Sequence, residues 1–182
     1  MGHILLIAAT RNAPGGQTEL RLSALLLLLL LPAAASAQGW PRILEGAELE
    51  RVVPPGFYFE GQSAATQMRN AAAAQFGPRR FVMAALVDTS GYSSDVQAKY
   101  QGFFITDAPV FVGGARLGTG AYGFGFTNDG RLNVLDLGGR VLLTVRAPRD
   151  AGLQRPRPLM MTQARNGVRL YAGRNFVLLS SR

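Results

Sequence analysis

Residues able to do acid–base, nucleophilic or metal chemistry are few in this chain, and their types exclude most enzyme classes. Cysteine is absent and the single histidine is His3. Beyond position 3 there is therefore no thiolate nucleophile, disulfide, histidine metal ligand, histidine base or Ser–His–Asp triad. Chemistry would fall to carboxylates, to Lys99 (the only lysine), to tyrosines or to arginines. Glu60, Asp88 and Asp136 lie in or at the end of expected strands. Two such carboxylates about 5–9.5 Å apart across a cleft are the machinery of a glycosidase. Asp88-Thr89-Ser90-Gly91 follows an apolar run over 84–87, in outline an aspartic protease-like Asp-Thr-Gly. Leu170-Tyr171-Ala172-Gly173-Arg174-Asn175 loosely matches the hydrophobic-hydrophobic-Gly element that supports such an aspartate. An enzyme of that kind shares one proton between two aspartates, which a chain with one motif obtains by dimerising. Here Ser90 stands where the motif needs glycine to let backbone approach the carboxylate. The competing reading is a polar turn in which Asp88 accepts from nearby backbone N–H groups.

Polar and aromatic groups on a long loop beside rigid strands suit binding better than catalysis. The segment 88–100 supplies Asp88, Tyr92, Lys99 and Tyr100 as ligand contacts, and Arg69 and Arg174 are candidate anion partners. The same side chains serve equally well to pin the loop to its scaffold, and both readings stand at this point. Gly118-Thr119-Gly120-Ala121-Tyr122-Gly123 matches the dinucleotide fingerprint letter for letter, but it runs into an aromatic strand instead of a helix. It reads as a turn. Asn128-Asp129-Gly130 is too short for a calcium loop. No cofactor and no metal are expected.

Around these residues the chain is a series of short strands. Phe57-Tyr58-Phe59-Glu60 follows Pro54-Pro55-Gly56, and a continuous apolar run over 81–87 has the length of a buried strand. Runs over 102–106 and 110–112 come next. Asn128-Asp129-Gly130, Gly138-Gly139 and Asn166-Gly167 each separate a pair of apolar runs, and these turn residues favour the positive φ angles of tight hairpins. Ser94-Asp95-Val96-Gln97 predicts one helical turn over 95–100. The alanines of 64–76 favour helix by propensity, but Gly77-Pro78 also turns a hairpin into 81–87, and strand is preferred. In 121–127, Tyr122, Phe124 and Phe126 share one face while Gly123 and Gly125 leave the other bare for a close neighbour or a ligand. Arg155-Pro156-Arg157-Pro158 reads as an extended linker. The class is all-β, a single antiparallel β-barrel or β-sandwich of about nine short strands with one short helical turn.

Seven consecutive leucines over 25–31, preceded by Arg11 and Arg21 and followed by Ala35-Ser36-Ala37, form the pattern of a signal peptide over 1–37. The run is shorter than the roughly 20 apolar residues of a membrane span. A lead-in segment over 38–53 and an all-β domain over 54–182 follow, with no transmembrane segment expected in the mature chain. Cleavage near Ala37 makes the protein periplasmic or extracellular. Its net charge of +8 comes almost wholly from scattered arginines in an alanine-rich background. That distribution reads as codon bias more than as a selected electrostatic stripe, with loose attraction to anionic glycans or envelope lipids as the lesser reading and no nucleic-acid partner expected.

Several stretches carry a resemblance. They are Phe59-Glu60-Gly61-Gln62, Thr66-Gln67-Met68-Arg69-Asn70, Leu86-Val87-Asp88-Thr89-Ser90-Gly91-Tyr92-Ser93, Lys99-Tyr100-Gln101-Gly102, the glycine-aromatic run from Gly120 to Phe126, and Arg169-Leu170-Tyr171 with Gly173-Arg174. Over about 57–177 the chain resembles a family of small exported bacterial β-rich proteins of uncharacterised function. The resemblance implies that Asp88-Thr89-Ser90-Gly91 is a pattern of its own and not a damaged protease motif. The expected function is an exported non-enzymatic β-domain that binds a small apolar or amphiphilic ligand or a cell-envelope component. The alternative is a carboxylate-dependent hydrolase using Asp88 with Glu60 or Asp136.

Overall fold

Two antiparallel sheets account for most of the residues described, 39–181, in a computed structural model of the chain. The leader expected over 1–37 lies outside these residues. The first sheet runs β1 (Arg42–Leu44), β3 (Gln62–Gln75), β4 (Phe81–Val87), β5 (Gly102–Thr106), β8 (Gly120–Phe126), β9 (Arg131–Leu135) and β10 (Val141–Arg146), with β2 (Gly56–Phe59) paired to the start of β3. The second runs β11 (Arg157–Ala164), β12 (Gly167–Gly173), β13 (Asn175–Ser180), β6 (Val110–Val112) and β7 (Ala115–Leu117). The chain leaves the first sheet after β5, returns at β8 and leaves again after β10, so neither sheet is a continuous stretch of sequence. The all-β expectation holds in its sandwich form, since the sheets do not close into a barrel.

The turn chemistry falls where the sequence puts it. Asn128-Asp129-Gly130 joins β8 to β9, Gly138-Gly139 joins β9 to β10, and Asn166-Gly167 joins β11 to β12. Gly130 and Gly139 take φ of 78° and 79°, angles that cost any side chain a clash with its own backbone. The alanine-rich stretch is strand, with Ala71 to Ala74 paired to β4 and all four buried.

The first sheet is covered on both faces around β3, β4 and β5, which explains why β4 reads as an unbroken apolar run. Ala72, Ala74, Val82, Ala84, Phe104 and Phe124 face the second sheet and meet Val112, Leu159, Leu170 and Leu179 in the main core. Ala71, Ala73, Met83, Ala85 and Phe103 face the other way. There the lead-in segment, β2 and the loop after β4 cover them with Leu44, Val53, Phe57, Phe59, Tyr92 and Tyr100. The lead-in is thus structured, holding β1 and a short helix, α1 (Gly46–Val52). The expected helical turn is α2 (Ser94–Lys99), and its cap is Ser93, whose Oγ accepts from the Val96 N–H at 3.4 Å.

β8 shows why a strand would alternate aromatics with glycine. Phe124 and Phe126 enter the main core. On the opposite side the Phe59 ring occupies the space a Cβ on Gly123 would need, and the Lys99 carbonyl occupies that of Gly125. The bare face is filled by the domain's own β2 and α2.

Candidate functional site

The loop over 88–100 is built inward from its two ends. The Asp88 N–H donates to the Ala65 carbonyl at 3.0 Å, and Asp88 Oδ1 accepts from the Ser90 N–H at 3.0 Å. Those hydrogen bonds from Ser90 hold the Asp88 carboxyl below its ordinary pKa, and the arrangement is the polar turn weighed against the protease motif. The Tyr92 hydroxyl donates to the Gln62 carbonyl at 3.0 Å, and Gln97 Nε2 donates to the Tyr92 carbonyl at 2.7 Å. At the far end Lys99 Nζ lies 2.7 Å from Glu60 Oε1 and donates to the Gly139 carbonyl at 3.2 Å. Tyr100 stacks on Phe59 with ring centroids 3.9 Å apart and meets Tyr92 edge to face at 5.4 Å.

Of the six residues singled out for ligand contact, the fold therefore gathers Tyr92, Lys99 and Tyr100 around β2. There they fasten the loop to the sheet. Asp88 sits exposed at the loop's start. Arg174 is elsewhere, donating to the carbonyls of Ala151 and Leu153 at 3.2 and 2.6 Å and tying down the β10–β11 connection. Arg69 is exposed on β3. The carboxylates are also individually engaged: Glu60 with Lys99, Asp88 with Ser90, and Asp136 with Arg140 at 3.1 Å. Among the described residues no three His, Cys, Asp or Glu side chains gather in a metal-binding group, and no helix is long and apolar enough to cross a membrane.

One group in this cluster is out of balance. Tyr100 is 1 % exposed and its hydroxyl has no hydrogen-bond partner among the described residues, and burial pushes its pKa well above the ordinary phenol value. A buried donor left unmade costs on the order of 1–3 kcal/mol. Tyr100→Phe is therefore expected to leave stability unchanged or raise it by about 1 kcal/mol. A urea melt showing a loss of that size would mean the hydroxyl is bonded in solution.

The outer side of the same loop forms one wall of a cleft of about 590 Å³ lined from both sheets. Thr89, Gln97, Tyr100 and Gln101 come from the loop and the start of β5, Gln67 from β3, and Asn128 from the β8–β9 turn. Arg149 and Asn175 face them from the second sheet's side. Some of these groups are fixed. Gln101 Nε2 donates to the Phe126 carbonyl and its Oε1 accepts from the Phe126 N–H, both at 3.0 Å. Gln67 Nε2 donates to the Val87 carbonyl at 3.0 Å, and its Oε1 accepts from Asn70 at 2.8 Å. Among the described residues the side chains of Asn128, Arg149 and Asn175 have no hydrogen-bond or ion-pair partner. Here is hydrogen-bonding capacity of both signs on a fixed frame, with one cation and no carboxylate, lysine, serine or histidine in the wall.

The cleft was hidden from sequence reasoning because its polar groups come from separate segments of both sheets. No local chemical pattern singled out Gln67 or Gln101 in the sequence. No protein family, no curated protein and no solved structure matches the chain.

Proposed function

We propose that the protein is an exported, non-enzymatic binding domain of the cell envelope whose ligand is a small polar molecule held in the cleft between the sheets. The leader pattern supports export. The observation that carries the binding reading is the cleft wall: amides, hydroxyls and one guanidinium around about 590 Å³, the size range of small-molecule sites. Such a lining suits a ligand rich in hydroxyl and amide groups, as envelope saccharides are, more than the small apolar or amphiphilic ligand expected from the strand pattern. The wall's hydroxyls, on Thr89, Thr127 and Tyr100, have no carboxylate, lysine or histidine beside them in the lining to act as a base, which supports recognition over catalysis.

The test is an NMR titration of the full domain with N-acetylglucosamine, after native mass spectrometry of protein purified from an exporting host. Shifts confined to the cleft, or a copurified polar adduct, are expected. Asn175→Leu, which replaces a free amide by an apolar group, is expected to weaken binding at least tenfold. Asp88→Asn keeps the oxygen that accepts from Ser90 and is expected to leave binding unchanged. Loss of the ligand on Asp88→Asn, or turnover of the saccharide, would move the protein to the hydrolase class. A clean protein that shows no shifts would remove the cleft reading.

A further inference from the structure

A second recess lies on the other side of β3, and it differs in chemistry from the polar cleft. β3 pairs with β4 at Thr66↔Val87 and next at Ala71↔Ala85, so β3 carries more residues than β4 across the interval. On its other edge, β2 pairs only as far as Ala65 and β1 begins at Ala73. Met68, Arg69 and Asn70 therefore sit in a stretch of β3 with no strand on that edge. β11 has a break of its own beside them, between Arg157↔Gly173 and Met160↔Tyr171. Irregularities in two neighbouring strands re-aim their side chains, and such bulges concentrate next to sites.

What they open is a groove of about 400 Å³ between α1, β3 and β11. Met68, Met160, Met161 and Leu49 give it an apolar lining, and thioethers adapt to flexible apolar partners. Arg69 and Arg157 stand together at its wall, with Arg157 Nη2 donating to the Arg69 carbonyl at 3.2 Å. Neither arginine belongs to an ion pair among the described residues. Glu45 also lines the groove, which leaves it one positive charge in excess.

We infer that this groove binds a single-chain anionic amphiphile, a fatty carboxylate, with the chain on the methionines and the head group on Arg69 and Arg157. The charge selects the occupant: an apolar groove alone would take any hydrophobe, whereas two arginines in one wall favour a carboxylate through charge-assisted bonds. The site is independent of the polar cleft and does not rest on it.

The test is calorimetric titration of the full domain with dodecanoate below its micelle-forming concentration, beside dodecyltrimethylammonium and butyrate. Saturable binding of one dodecanoate is expected, at least tenfold tighter than either control. Both arginines are exposed, so the double variant Arg69→Gln/Arg157→Gln is expected to fold, checked by circular dichroism, and to bind dodecanoate at least tenfold more weakly. Met160→Asp is expected to abolish binding by placing like charge beside the chain. Equal affinity for the cationic surfactant, or unchanged binding in the arginine variant, would overturn the inference. So would concentration-dependent dimerisation that Met160→Asp abolishes, or binding to phosphatidylglycerol vesicles without binding to free dodecanoate. Those two results assign the groove to a second copy of the chain and to a membrane surface respectively.

Discussion

Phe59→Ala is expected to destabilise the domain by about 3–5 kcal/mol, a large fraction of the total for a protein of this size. Phe59 is fully buried, lies flat against Tyr100 and presses its edge into the space over Gly123. Removing it leaves a hole that β8 cannot fill, because the residue beneath is a glycine with no side chain to relax. The aromatic stacking is lost in addition, at roughly 0.5–1.5 kcal/mol. Thermal melting is expected to shift down by roughly 12–20 °C, at about 4 °C per kcal/mol. Amide exchange should also rise first over 88–100, since Tyr92 and Tyr100 hold that loop through their contacts with Phe59. A melting shift of only a few degrees would show that β2 is a peripheral flap and not the keystone of the second core.

Gly125→Ala is the second large effect, and it acts by collision. A Cβ at this position meets the Lys99 carbonyl at the end of α2. That obstacle is backbone, which cannot rotate aside as a side chain can. Either β8 or the end of α2 must move, at a cost of about 2–3 kcal/mol, and a melting shift of roughly 8–12 °C is expected. Displacing α2 also displaces Gln97 in the cleft wall, so saccharide binding should weaken with stability. Gly118→Ala is the matched control. Its nearest neighbour would be the Tyr122 hydroxyl at 3.7 Å, ordinary contact, and its effect should stay within about 0.5 kcal/mol. If both alanines behave alike, close packing is not why β8 carries glycine.

The hairpins were legible in the sequence because their determinants are local. A positive φ at Gly130 or Gly139 is demanded by two or three adjacent residues, whatever the rest of the chain does. The alanines at 71–74 were harder. Their intrinsic preference is helical, and they become strand because small side chains let the sheet be covered closely on both faces. Thirteen strands are described where about nine were expected, and β1, β7 and β13 are strands the sequence reading left out; β1 and β7 are three residues each and include an arginine, whereas the equally short β6 was legible because all three of its residues are apolar. The cap of α2 moved by one residue because Ser93 and Ser94 offer the same hydroxyl. The candidate site was only partly legible. The loop over 88–100 was singled out for contact; its inward residues hold the loop in place, while its outer face and the strands beyond it line the cleft. No spacing rule brings Gln67, Asn128, Arg149 and Asn175 together; only the crossovers between sheets do that. The groove bearing Arg69 was hidden for the same reason, since Arg157 reaches it from the far side of the chain.

Gln101 leaves one more consequence. Its side-chain amide both gives to and takes from the backbone of Phe126, as a residue on a neighbouring strand would. The pairing of β5 with β8 is in this way extended by one rung that is not made of main chain. A main-chain rung is fixed by the fold and indifferent to sequence, whereas this one is written in a single codon. How far β5 and β8 stay joined at the cleft wall can therefore be changed by substitution without re-registering a strand.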